Sequence, residues 1–148
     1  MASTLNNRTA KAHVLNDAPR FPTWAHPATR IANGHLYVCF EDQIDGWFSV
    51  VVFKQLIEHR ILNITDESLS RHPHFKAGLS PYEFHLIEHS PATSQNTSDA
   101  ERHWVVTFKD VSLDVIATAL ELRLPLYEGE SPDQALDACI CTSGLDIP

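Results

Sequence analysis

Glycine is scarce in this chain. There are five in 148 residues, and no two are close together. A phosphate-cradling loop needs several glycines within a few positions, so the P-loop and the dinucleotide fingerprint are excluded, and no G-x-S-x-G elbow is present either. Cysteine is also scarce: Cys39, Cys139 and Cys141 are an odd number that builds no disulfide framework. They read as free thiols in a reducing compartment, and the expected location is cytoplasmic. Long apolar runs are missing. Leu36–Phe40 and Val50–Phe53 fall far short of the roughly 18–20 apolar residues that span a bilayer. Met1–Asn7 is polar with no apolar stretch behind it, so neither a secretory leader nor a membrane partner is expected.

Positive charge is the other shortage. Eleven Lys and Arg stand against nineteen Asp and Glu, for a formal net charge of −8. The asymmetry is regional: four bases and one acid lie in residues 1–34, seven bases and eighteen acids in 35–148. An acidic body disfavours direct contact with nucleic acid, whose phosphates are met by Lys and Arg. It suits a protein partner with a basic face.

What the chain does have is the length of one domain and an ordinary apolar content of 43%. Residues 1–34 hold Pro19, Pro22 and Pro27 without a sustained period and read as an extended arm, with a short helical turn near Thr9–Leu15. Residues 35–148 read as a single α+β domain. His35–Glu41, the Asp45-Gly46 turn and Trp47–Lys54 form one hairpin, followed by an irregular or helical stretch; a helix over Trp47–Ile61 is the competing reading. Thr65–Ser70 reads as a short helix. Tyr82–His89 and Arg102–Lys109 alternate and form a second hairpin around the polar loop Ser90–Glu101. Two C-terminal helices follow, one from Ser112 carrying Val115, Ile116, Ala119, Leu120 and Leu122, the other capped by Ser131-Pro132-Asp133-Gln134. The expected fold is α+β: one antiparallel sheet of about four strands in two hairpins, with the C-terminal helices packed on one face.

Nine histidines invite a search for metal. The string His85-Leu86-Ile87-Glu88-His89 matches H-x-x-E-H, in which two histidines of one helical turn share a zinc and the glutamate is general base. The alternation of Tyr82, Phe84 and Leu86 places it instead on a strand, where His85 and His89 stand roughly 13 Å apart and share no ion. His72-Pro73-His74 with Cys139-Ile140-Cys141 offers soft ligands, but C-x-C on a helix sends its two sulfurs in different directions. Neither thiol sits at a helix start, which argues against a Cys–His nucleophile. The expectation is therefore no metal and no cofactor, with His85, Glu88 and His89 as the alternative ligand set.

Binding residues are sought instead in the aromatic and basic arm, at Arg20, Phe21 and Trp24, and in the acidic turn Glu41, Asp42 and Asp45. The expected function is non-catalytic: a small acidic protein that binds, and inhibits or adapts, another macromolecule, such as a mobile-element or phage-type inhibitor of a basic nucleic-acid-binding protein. The alternative is a histidine-dependent, zinc-using hydrolase.

Overall fold

The computed structural model describes residues 9–93 and 101–145. They form two antiparallel sheets and one C-terminal helix. One sheet has five strands in the order β1-β6-β7-β8-β5: Lys11–Val14, Phe84–Glu88, Arg102–Thr107, Ser112–Ala117 and Glu58–Leu62. The other has four in the order β2-β3-β4-β9: Ala28–Ala32, His35–Glu41, Trp47–Lys54 and Ala119–Glu128. The helix α1 covers Pro132–Leu145.

The sheets face each other across one core. Val38 and Phe40 of β3 and Phe53 of β4 pack with Trp104 and Val106 of β7 and Val115 of β8. The opposite face of β3 and β4, with Tyr37, Cys39, Val50 and Val52, packs on Ala135, Leu136 and Cys139 of α1. Both faces are therefore dry, which is why Leu36–Phe40 and Val50–Phe53 are continuous apolar runs rather than alternating ones. Burial holds the Cys39 thiol up at about 12, with Cys139 adding to the shift, so Cys39 is an inert small hydrophobe.

A two-stranded ribbon joins the sheets. β4 pairs with β9 to the end of β4, where Lys54 meets Ala119, and the pairing resumes as β5 on β8 at Glu58–Ile116. Between them Thr118 N–H donates to Lys54 C=O and Ile57 N–H to Ile116 C=O. Gln55, at φ +52°, takes the bend. Strands that change sheet at a bend are how a sandwich turns its corner.

A third layer closes the outer face of the five-stranded sheet. Residues 63–83 run across it with two 3₁₀ turns, Leu69–Arg71 and Phe75–Ala77. Leu69 and Leu79 pack there on Ile87 and Val105.

Several expectations change. The α+β class fits broadly, but the fold is mostly β, with nine strands in two sheets among the described residues rather than about four in one, and with one C-terminal α-helix rather than two. The segment from Ser112 is strand, not helix. The β-branched Val111, Val115, Ile116 and Thr118 favour extended backbone, Pro125 opposes a helix, and ladders to β5, β7 and β4 supply its hydrogen bonds. The stretch after Lys54 becomes β5, and residues near Thr9–Leu15 form β1 on the edge beside β6. Thr65–Ser70 is reduced to the 3₁₀ turn at Leu69–Arg71. The helix start at Ser131 is as expected: Ser131 Oγ accepts Gln134 N–H at 3.3 Å, and Gln134 Oε1 accepts Glu130 N–H at 2.9 Å. Of the loop expected over Ser90–Glu101, residues 94–100 lie outside the described residues.

From residue 9 onward the arm is built into the sandwich. β2 hairpins onto β3 through Asn33-Gly34, both at positive φ (+55° and +80°), the conformation of a two-residue type I′ turn. Phe21 is 6% exposed, with its ring 4.7 Å from Phe108 and 5.3 Å from Phe40, whereas Trp24 is 59% exposed. Phe21→Ala should therefore cost about 3–4 kcal/mol of stability, as a large aromatic lost from a core does. Trp24→Ala should cost no more than about 0.5 kcal/mol. Urea unfolding of the two variants checks this; equal effects would mean the arm is not anchored through Phe21.

Candidate metal centre

The outer face of the five-stranded sheet is unusual. Register places His85 opposite Val105, Val105 opposite Asp114, and Asp114 opposite Arg60, so these side chains share one face with His103, two residues from Val105. Covering that face with residues 63–83 buries His72, His85, His103, Thr107 and Ser112. Buried polar groups need partners, and here each histidine shows which partner it has.

His72 Nδ1 accepts the N–H of His74 at 2.9 Å, so the ring proton is on Nε2, which lies 3.0 Å from Asp114 Oδ1 and donates to it. That fixes one carboxylate oxygen and turns Oδ2 toward His103 Nε2, 3.9 Å away. At the other side of its ring, His103 Nδ1 is 2.7 Å from Ser90 Oγ, which itself accepts Ala92 N–H at 3.0 Å. Ser90 Oγ and His103 Nδ1 can each donate in that contact, and it holds the ring with Nε2 toward Asp114. The His74 ring stands edge-on to His103 with 4.6 Å between centroids.

One ligand atom each from His74, His103 and Asp114 lie within 4.8 Å of one another. Around a zinc with bonds of about 2.0–2.2 Å, tetrahedral neighbours stand about 3.4 Å apart. Closing the set is thus a side-chain movement of about an ångström. The three residues come from three segments, the covering layer, β7 and β8, and they line a shallow pocket of about 110 Å³ together with Glu58, Arg60, Pro73, Ala92 and Ile116.

Electrostatics favour neutral imidazoles here. Burial is the main cause that lowers His103, to about 4, against the opposing pull of Asp114. Burial also lowers His74, again against Asp114. Both rings are therefore neutral at neutral pH, as ligation requires. Ser90, His103 and Asp114 do not form a nucleophilic triad. Ser90 Oγ is buried and occupied by Ala92 N–H, and Asp114 is too far from His103 for a hydrogen bond.

The H-x-x-E-H string lies on strand β6 and its end, not on a helix. His85 is fully buried. Its Nε2 accepts Ser80 N–H at 3.0 Å and its Nδ1–H donates to Val105 C=O at 3.0 Å, which leaves no lone pair for a metal. Glu88 instead bridges His13 and His89, each at 3.3 Å. Cys139 and Cys141 belong to α1, on the opposite side of the four-stranded sheet from the core, so they do not meet His72 or His74.

The arm and the acidic turn expected from sequence come together at His26 and Glu41. His26 N–H donates to Glu41 Oε1 at 3.3 Å, and Arg20, Phe21 and Gln43 line one pocket. Asp42 closes its turn, Oδ2 accepting Ile44 N–H and Oδ1 accepting the Ser49 hydroxyl, both at 2.9 Å. Asp45 and Trp24 are exposed, and Phe21 is not.

Sequence reasoning missed Ser90, His103 and Asp114. His103 alternates with Trp104 on β7, but its face reads as solvent-facing until residues 63–83 are laid over it. Asp114 was hidden by the helix assignment. Comparison with family models, curated proteins and solved structures finds no match to this chain, so this geometry carries the functional argument.

The buried neutral rings give the metal-free protein a definite pH response. A histidine lowered in the folded state contributes stability that is whole above the unfolded pKa near 6.5 and is lost as pH falls toward the folded value. For His103 the loss between pH 6.5 and 4 is about 3 kcal/mol. His85, lowered chiefly by burial, acts in the same direction. Urea unfolding at pH 7.5, 5.5 and 4.5 should show a falling free energy, and a flat profile would mean that these rings are not held neutral.

Proposed function

We propose that the protein binds a divalent transition metal, zinc in type, through His74, His103 and Asp114, and presents it in the pocket with a coordination position open. The observation that carries this is the convergence of three ligand atoms of which two are already aimed, His103 by Ser90 and Asp114 by His72. Ligands held by second partners are characteristic of metal sites, and two imidazoles with one carboxylate suit zinc and its neighbours. Three protein ligands among the described residues match the open sites that polarise a bound water or carbonyl rather than the closed four-ligand structural ones. The hydrolase alternative thus stands on a different set of residues from those of the H-x-x-E-H string.

The test is metal loading of stripped protein. One zinc per chain should bind and raise the melting temperature; at a hundredfold excess over the dissociation constant the gain is about 2.7 kcal/mol. Asp114→Asn and His103→Gln should each weaken binding tenfold or more, while His89→Ala should not. Zinc that fails to bind stoichiometrically, or that binds equally well to Asp114→Asn, overturns the reading.

A second reading keeps the expected macromolecular partner. Exposed Trp24 and Ile44 flank the end where the arm meets the acidic turn, and Asp45 adds charge for a basic partner. Because Asp42 holds its turn, Trp24 and Asp45 are the residues to probe. A photo-cross-linker at position 24 should capture a defined partner that one at position 121, on the far edge strand, does not. Identical product patterns from the two positions would remove this reading.

A further inference from the structure

Arg60 has a place in the pocket that its ion pairing does not account for. It stands directly opposite Asp114 on the β5–β8 ladder, so the two side chains share a face. Yet the Asp114 oxygens are turned to His72 and His103. The Arg60 guanidinium instead lies 3.6 Å from Glu58 Oε1, on its own strand, and its side chain is 66% exposed. It lines the same pocket as the three candidate ligands, and its charge contributes to lowering both His74 and His103. A dication held by one carboxylate and two neutral imidazoles keeps a positive charge, and the pocket's volume of about 110 Å³ is that of a few water molecules. The remaining wall is Glu58, the partner of Arg60, and the apolar Pro73, Ala92 and Ile116.

We infer that the open position takes one oxygen of a small carboxylate whose other oxygen is held by Arg60, its short hydrocarbon lying against Pro73, Ala92 and Ile116. The inference rests on the metal reading and names the ligand class for that site. The guanidinium's planar set of N–H donors matches a carboxylate, and bridging between metal and arginine fixes the ligand's orientation. Phosphate shares the oxyanion chemistry but has no apolar part for this wall.

The experiment uses full-length protein loaded with Co²⁺, whose visible absorption reports its coordination. Acetate and propionate should perturb the bands saturably, with propionate at least as tight as acetate. Arg60→Gln should retain Co²⁺ affinity within about twofold but weaken carboxylate binding roughly tenfold, with Arg60→Lys in between. Absence of a Co²⁺ spectrum in the unmodified protein sinks the metal reading and this inference with it. A Co²⁺ spectrum that carboxylates do not move, or move equally in Arg60→Gln, sinks this inference alone. A response to phosphate but not to carboxylates overturns the ligand class.

Discussion

The rest of the structure depends on the covering of one polar sheet face. Strands β6, β7 and β8 send His85, His103, Thr107 and Asp114 away from the inter-sheet core, and residues 63–83 lie over them. Once water is removed from that face its polar atoms need protein partners, and the covering layer supplies several of them. Ser80 N–H is donated to His85, Thr107 Oγ1 donates to Ser80 C=O at 2.6 Å, and Glu83 N–H returns to Thr107 Oγ1 at 3.0 Å. Tyr82 donates its hydroxyl to Asp66, tying the two ends of the layer together. The layer therefore has one register on the sheet, and that register sets His72 on Asp114 and His74 beside His103.

The corner ribbon determines what surrounds the site. Because β4–β9 continues as β5–β8 after the bend at Gln55 and Thr118, β5 arrives as the edge strand next to β8. Glu58 and Arg60 then fall on the same face as Asp114 and Ile116, as the alternation of an antiparallel pair requires. An edge strand exposes its side chains more than an inner one, so the pocket gains a solvated cation beside the buried His103 and the half-buried His74. The fold thus grades polarity across a single sheet face.

Much of this was legible in the chain, and the failures share a physical origin. Leu36–Phe40, Trp47–Lys54, Tyr82–His89 and Arg102–Lys109 announced strands because alternation and β-branching act locally, and Ser131-Pro132 announced a helix because capping is local too. Ser112–Leu122 failed because its apolar spacing satisfies a helix as well as two strands broken at Thr118. What decides it is pairing with β5 and β4, strands at least 50 residues earlier in the chain. Asn33-Gly34 was a readable turn that the absence of period in residues 1–34 obscured. The site was illegible for the same reason as Ser112–Leu122. Its candidate ligands lie at 74, 103 and 114, without motif spacing: the β7–β8 ladder brings His103 and Asp114 onto one face, and His74 joins them because residues 63–83 return over the sheet.

The metal-free site holds an imbalance that a cation would remove. Asp114 is only 15% exposed, and the groups that face it are histidines, His72 donating from a neutral ring and His103 held neutral at ordinary pH by its own burial. A carboxylate in such surroundings gains dipolar hydrogen bonding but no compensating charge, since proton uptake by His103 waits until about pH 4. The guanidinium on its face among the described residues, Arg60, is turned to Glu58. Two neutral imidazoles and a carboxylate, brought together by β7, β8 and the covering layer, form a site of net negative charge. A divalent cation supplies what the fold withholds from Asp114. By binding the folded arrangement alone, it would also add its binding free energy to the stability of the covering layer.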